Sequence, residues 1–96
     1  MKKVKFHPDA KSEMIEAAAY YEMQQSQLGR RFLASVQDAI NRIVLNPRLY
    51  ATVDLDVRRC LTKTYPFGVL FRELPDKIVI MAVMHLHREP DYWKNR

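Results

Sequence analysis

The chain opens on an alternation. From Lys2 to His7 the apolar Val4 and Phe6 alternate with Lys3 and Lys5, the period of a short strand. Pro8 follows, and proline suits the first turn of a helix, where its missing N–H costs nothing. Asp9 and Glu13 lie near that N-terminus and favour its positive dipole end. Ala10, Met14, Ala17, Ala18 and Tyr21 then recur at helical spacing and predict one apolar stripe. The alanines at 17–19 favour helix and let a neighbour approach closely. Residues 24–29 are polar and end in Gly29, which predicts a break. A second helix is expected from about Arg30, because Phe32, Leu33, Val36, Ile40, Ile43 and Val44 form the clearest periodicity of the chain. Asn46-Pro47 is a stop signal, and the short link between the helices predicts an antiparallel hairpin.

Residues 48–57 read as a loop or a short edge segment. Beyond them the period changes to two. Residues 58–63 predict a strand, Tyr65-Pro66 interrupts it, and residues 67–73 predict another, with Phe67, Val69 and Phe71 on one face. Residues 74–77 are a turn. Residues 78–84 are apolar without a break, which predicts a central strand covered on both faces. Strict alternation places Ile78, Ile80, Ala82 and Met84 on one face and Val79, Met81 and Val83 on the other. Two helices can cover only one of them. A final segment, 91–96, is expected to make one or two helical turns and to lay Tyr92 and Trp93 over part of the second. Whatever stays uncovered is a groove for a partner chain or a second copy. The expected fold is α+β: an N-terminal strand, an antiparallel helical hairpin and a three-stranded antiparallel meander. The hairpin packs on one face of a four-stranded sheet, in a single domain spanning 1–96.

Composition narrows the function classes. The 96 residues carry 16 basic and 11 acidic side chains, a net charge of +5, which suits an acidic partner such as nucleic acid, a ribosome or an acidic polypeptide. No acid occurs among residues 57–72, where Arg58, Arg59, Lys63 and Arg72 form the densest basic cluster. The single cysteine, Cys60, excludes an intrachain disulfide and points to a reducing, cytoplasmic compartment. Its place between Arg59 and Leu61 reads as buried and inert. No apolar run approaches the ~20 residues of a membrane span, and no apolar signal stretch follows the basic N-terminus.

Three stretches carry a resemblance. The first is His7-Pro8-Asp9-Ala10 with Ala19-Tyr20-Tyr21 on the following helix. The second is Arg58-Arg59-Cys60-Leu61 and then 65–72, Tyr-Pro-Phe-Gly-Val-Leu-Phe-Arg. The third is the apolar run 78–84 followed by His85-Leu86-His87-Arg88-Glu89-Pro90-Asp91-Tyr92-Trp93. In this order and spacing they resemble the RelE/ParE superfamily of type II toxins, over nearly the whole chain. The Phe-Gly strand motif and the His-x-x-Arg-x-Pro ending look closer to the ParE-like, plasmid-stabilisation branch. The resemblance implies a toxin neutralised by a cognate antitoxin that orders as it wraps the toxin. It also implies one of two targets: DNA gyrase for ParE-like members, or messenger RNA cut on the ribosome for RelE-like ones. A toxin-like antitoxin-binding module without toxicity is a third reading. Homodimer and toxin–antitoxin heterotetramer both stay open.

RNA cleavage without metal needs a proton acceptor, a proton donor and cations for the charged phosphorane. Carried over from the RelE pattern, Arg88 matches the arginine after the last strand. Tyr92 lies in the region of the C-terminal tyrosine, at a shorter spacing, and Arg59 matches the first lysine of the strand cluster. The second lysine falls at Leu61 and the next arginine at Gly68, so two cations of that pattern are lost. Lys63 and Arg72 are the candidates to replace them. His85 and His87, at i and i+2, would project to one face if the strand runs that far, and imidazole suits acid–base work. The expected nuclease set is thus Arg88, His87, His85 and Tyr92. The expected target-binding set is Arg58, Arg59, Lys63 and Arg72. Each has a plain structural reading: Arg88 pairing a carboxylate, Tyr92 packing, the basic residues lining a solvated strand. No metal or cofactor is expected, since no further ligands accompany the two histidines.

Overall fold

A computed structural model describes residues 2–96. Strand β1 (Lys3–Phe6) leads into helix α1 (Pro8–Gln24), and α2 (Leu28–Leu45) returns antiparallel to it. After a single 3-10 turn (Pro47–Leu49) come β2 (Thr52–Asp54), β3 (Val57–Leu61), β4 (Phe67–Glu73) and β5 (Lys77–His85). The sheet order is β1-β5-β4-β3-β2. β1 runs parallel to β5, from Lys3 opposite Lys77 to Phe6 opposite Ile80, and every other pair is antiparallel.

The class is the expected α+β, but the sheet has five strands rather than four. The extra one is β2, inside the segment expected to be a loop or edge. It is three residues long and irregularly paired to β3, too short to carry a period. β3 ends at Leu61, two residues before the expected boundary. There the Thr62 hydroxyl donates to the carbonyls of Tyr65 (3.0 Å) and Phe67 (3.2 Å), tying the turn into β4.

At the N-terminus of α1, His7 is the cap: its Nδ1 accepts from Asp9 N–H at 3.1 Å. Gly29 lies inside the first turn of α2 instead of preceding it. A Cβ there would stand 2.5 Å from Ala18 O, so glycine is required by the close crossing of the helices. Glu22 reaches across from α1 and accepts from the N–H groups of Gln27 and Gly29, each at 3.1 Å, capping α2.

The larger core lies between the hairpin and the sheet, with Phe32, Val36 and Ile43 against Val69, Phe71 and Ile80. The two faces of β5 differ from the strict alternation. Leu70 pairs Ala82 but the next residue, Phe71, pairs Ile80, so Met81 is an extra residue, a bulge. The bulge shifts the phase: Ile78, Ile80 and Val83 face the helices, while Met81, Ala82 and Met84 face the other side. Ala82 and Met84 therefore do not share a face with Ile78 and Ile80.

On that second face Trp93 packs over Val57, Leu70 and Met84, as the sequence suggested for the C-terminal segment. The segment itself is a chain of i to i+3 turns, Tyr92 to Glu89, Lys94 to Asp91 and Arg96 to Trp93, rather than a helix. Among the described residues, no helix is long and apolar enough to cross a membrane.

Candidate functional site

The chemistry-bearing residues gather where β1 stops. Past Phe6 the chain turns into α1, so the outer edge of β5 has no strand beside it after Ile80. Side chains take that strand's place. Glu13, on the second turn of α1, accepts from Val83 N–H at 3.1 Å, and Arg96 donates to Met81 O at 3.0 Å. The two also pair with each other in a fork, at 2.8 and 2.9 Å. Their side chains are only 10 % and 11 % exposed, so this is a buried ion pair whose hydrogen bonds are filled.

Arg88 completes the group. Its guanidinium reaches Glu13 at 3.2 Å and lies over the Tyr92 ring, 3.6 Å from the centroid. Arg96 lies on the same ring at 5.0 Å. Burial by itself would raise the Glu13 carboxyl, but the groups facing it, Arg96 first and then Tyr92 and Val83 N–H, hold it below the usual range. The Tyr92 hydroxyl is buried, without a hydrogen bond of ordinary geometry. Burial and the Glu13 charge push it far above the usual tyrosine range, so it stays protonated at neutral pH. A group in that state can donate a proton but not accept one.

The histidines do come together. His85 ends β5 and stacks edge-on against Phe67, at 5.1 Å between centroids. The His87 ring lies 5.3 Å from it, and His87 N–H donates to His85 Nδ1 at 3.1 Å. That bond leaves His85 neutral with its proton on Nε2. Among the described residues no three His, Cys, Asp or Glu side chains are grouped to hold a metal ion.

The four basic residues of 58–72 do not form one cluster. Arg58 turns to the helix side and donates to Tyr50 O at 2.7 Å. Lys63 lies in the β3–β4 turn, where its carbonyl accepts from the Ser35 hydroxyl at 2.8 Å. Arg72 is 3.1 Å from the Asp56 carboxylate. Arg59 alone of the four makes no polar contact, and its stem crosses the open face of β4 at Gly68. A Cβ at Gly68 would meet Arg59 Cδ at 2.9 Å. Gly68→Ala is therefore expected to displace Arg59 while leaving stability within about 1 kcal/mol of the parent. Urea unfolding, together with the NMR shift of the Arg59 Nε–H, checks both halves. Cys60, under α2, is fully buried, and burial pushes its thiol up, which leaves it unreactive.

The sequence reading missed Glu13, taken only for a dipole partner, and Arg96, for which no local pattern exists. Their meeting depends on where β1 ends against β5, a tertiary fact.

Comparison with known proteins agrees with this geometry. The family described as the ParE toxin of the type II toxin–antitoxin system, parDE, matches residues 4–90. A solved structure of the chromosomal ParDE toxin–antitoxin system from P. aeruginosa contains a chain with the same fold. The TM-score is 0.67 at 17% identity, covering 91% of this chain and 98% of that one. No curated protein matches in sequence.

Proposed function

The chain belongs to the ParE toxin family of type II toxin–antitoxin systems, and from that premise we propose that it arrests growth by inhibiting DNA gyrase until a cognate antitoxin sequesters it. The observation that carries the choice of target is the state of the C-terminal residues. Arg88 and Tyr92 are engaged in holding the chain end, one paired to Glu13 and the other buried and protonated. RNA cleavage would need a free base and several cations aimed at one phosphate. Of the strand cations only Arg59 is unengaged on the open face. The resemblance to gyrase poisons needs no such set, because inhibition by binding requires a surface and not a reaction.

A second reading rests on one specific feature. His85 and His87 are adjacent at the end of β5, and a ribosome-bound message could use such a pair for proton transfer. The test is a supercoiling assay with purified gyrase, run beside mapping of messenger 5′ ends in cell-free translation. Loss of supercoiling with intact message is expected. New ends on ribosome-bound message would replace the gyrase reading with the nuclease. Normal supercoiling, intact message and harmless expression would leave an antitoxin-binding module.

The same question can be put in cells. The His85→Ala/His87→Ala double variant is expected to arrest growth as the parent does, within about twofold in the inducer needed, since surface changes of this kind cost little stability. Loss of arrest in a folded variant would point to the nuclease.

A further inference from the structure

An outer strand leaves backbone N–H and C=O groups unpaired on its free side. β1 is such a strand, with β5 on its one paired side. His7, just past its end, donates to Ile80 O at 2.9 Å. Backbone groups alternate sides along a strand, so those of Lys3 and Lys5 face β5 and those of Val4 and Phe6 face outward. The Val4 and Phe6 side chains line a cleft between β1 and α2, together with Ile40, Val44 and Leu45, and Lys2 at one end. The cleft holds about 480 Å³, and Leu45 on its lip is 76 % exposed.

An apolar cleft beside an open strand edge invites an occupant, and the charges select it. Lys3 and Lys5 are exposed on the opposite face of β1, and neither has an ion-pair partner among the described residues. A second copy of this chain is a poor fit. Two β1 strands placed antiparallel would set these lysines against each other, and like charges opposite one another in a sheet are destabilising. Nucleic acid would meet the lysines but leave the cleft empty.

We infer that this edge and cleft take an extended acidic segment of a partner protein as a sixth strand. Its backbone pairs with Val4 and Phe6. Its apolar residues, at every second position, enter the cleft, and the intervening carboxylates meet Lys3 and Lys5. The inference rests on the toxin reading only in naming the antitoxin as the protein that carries the segment.

The probes are two synthetic ten-residue peptides, one alternating valine with glutamate and the other valine with lysine. They are added to the full chain labelled for NMR. The glutamate peptide is expected to slow hydrogen exchange of the Val4 and Phe6 amides and to shift the Leu45 methyl groups. The Lys3→Glu/Lys5→Glu double variant and Leu45→Asp should each weaken it at least about tenfold. Met23→Asp, on the far side of α1 and 87 % exposed in the parent, should leave it unchanged. Three results overturn the inference: equal binding of the lysine peptide, shifts centred on Arg59 and Leu86, or absence of binding. Growth arrest reports on the toxin reading alone. Arrest without edge binding removes the docking surface, whereas edge binding by a harmless chain removes the toxin.

Discussion

Phe32→Ala is expected to cost about 3–5 kcal/mol of folding stability, the range for deleting a buried ring. Phe32 is fully buried at the middle of an aromatic cluster. Its ring lies 4.8 Å from Phe67, 5.2 Å from Tyr21 and 5.4 Å from Tyr65. These neighbours come from α1, the β3–β4 turn and β4, so the cavity cannot close without moving the hairpin off the sheet. A domain of this size has only about 5–15 kcal/mol in total, so the variant should approach the unfolding threshold. It should lose on the order of 15–30 °C in Tm. His85, which rests on Phe67, should loosen with it. Thermal and urea unfolding measure the loss, and a value under about 1 kcal/mol would mean that the cluster is not the keystone of the hairpin–sheet contact.

Glu13→Ala is expected to cost about 3 kcal/mol, the low end for removing one partner of a buried pair. It strands Arg96, frees Arg88 and leaves Val83 N–H without an acceptor. The loss should be felt first at the chain end. Trp93 is the sole tryptophan, so its emission should move to the red as the segment leaves the second sheet face. The acid limb tests the same ion pair in the parent. Glu13 has a folded-state pKa below its usual value, so its contribution is complete above the unfolded pKa and is lost as pH falls through the folded one. Glu73, held down chiefly by Lys2, acts in the same direction. The difference between the parent and Glu13→Gln isolates Glu13. Stability of the parent should fall more steeply below about pH 4.5. Parallel acid limbs would show that the carboxylate charge contributes nothing there.

The parts of the fold legible in the sequence were those with a repeated local pattern. The stripe of Phe32, Val36, Ile40 and Ile43 becomes the core face of α2. Strand β4 lies at the expected residues, and Trp93 covers the second face. What escaped has no repeat. The Met81 bulge follows from fitting β5 between β4 and β1, and nothing within residues 78–84 announces it. Gly29 looked like a helix stop because glycine often is one, whereas its position answers to the carbonyl of Ala18 on another helix. Of the candidate site, the pairing of His85 with His87 was legible from their spacing at a strand end. The scattering of Arg58, Lys63 and Arg72 was not, because proximity along the chain says little about which side of a strand or turn each residue takes.

By itself the sequence determined the element order, the α+β class, the buried face of each long element and the family. Periodicity and motif order are local or linear properties, and hydrophobic burial enforces them wherever the segment goes. The tertiary structure alone decided that β1 stops short of the end of β5. From that one mismatch in strand length come the bare edge that Glu13 and Arg96 fill and the engagement of Arg88 and Tyr92. The same arrangement leaves β1 as an outer strand beside its cleft. Backbone groups must be satisfied wherever they end up buried, and where that happens depends on which strands meet.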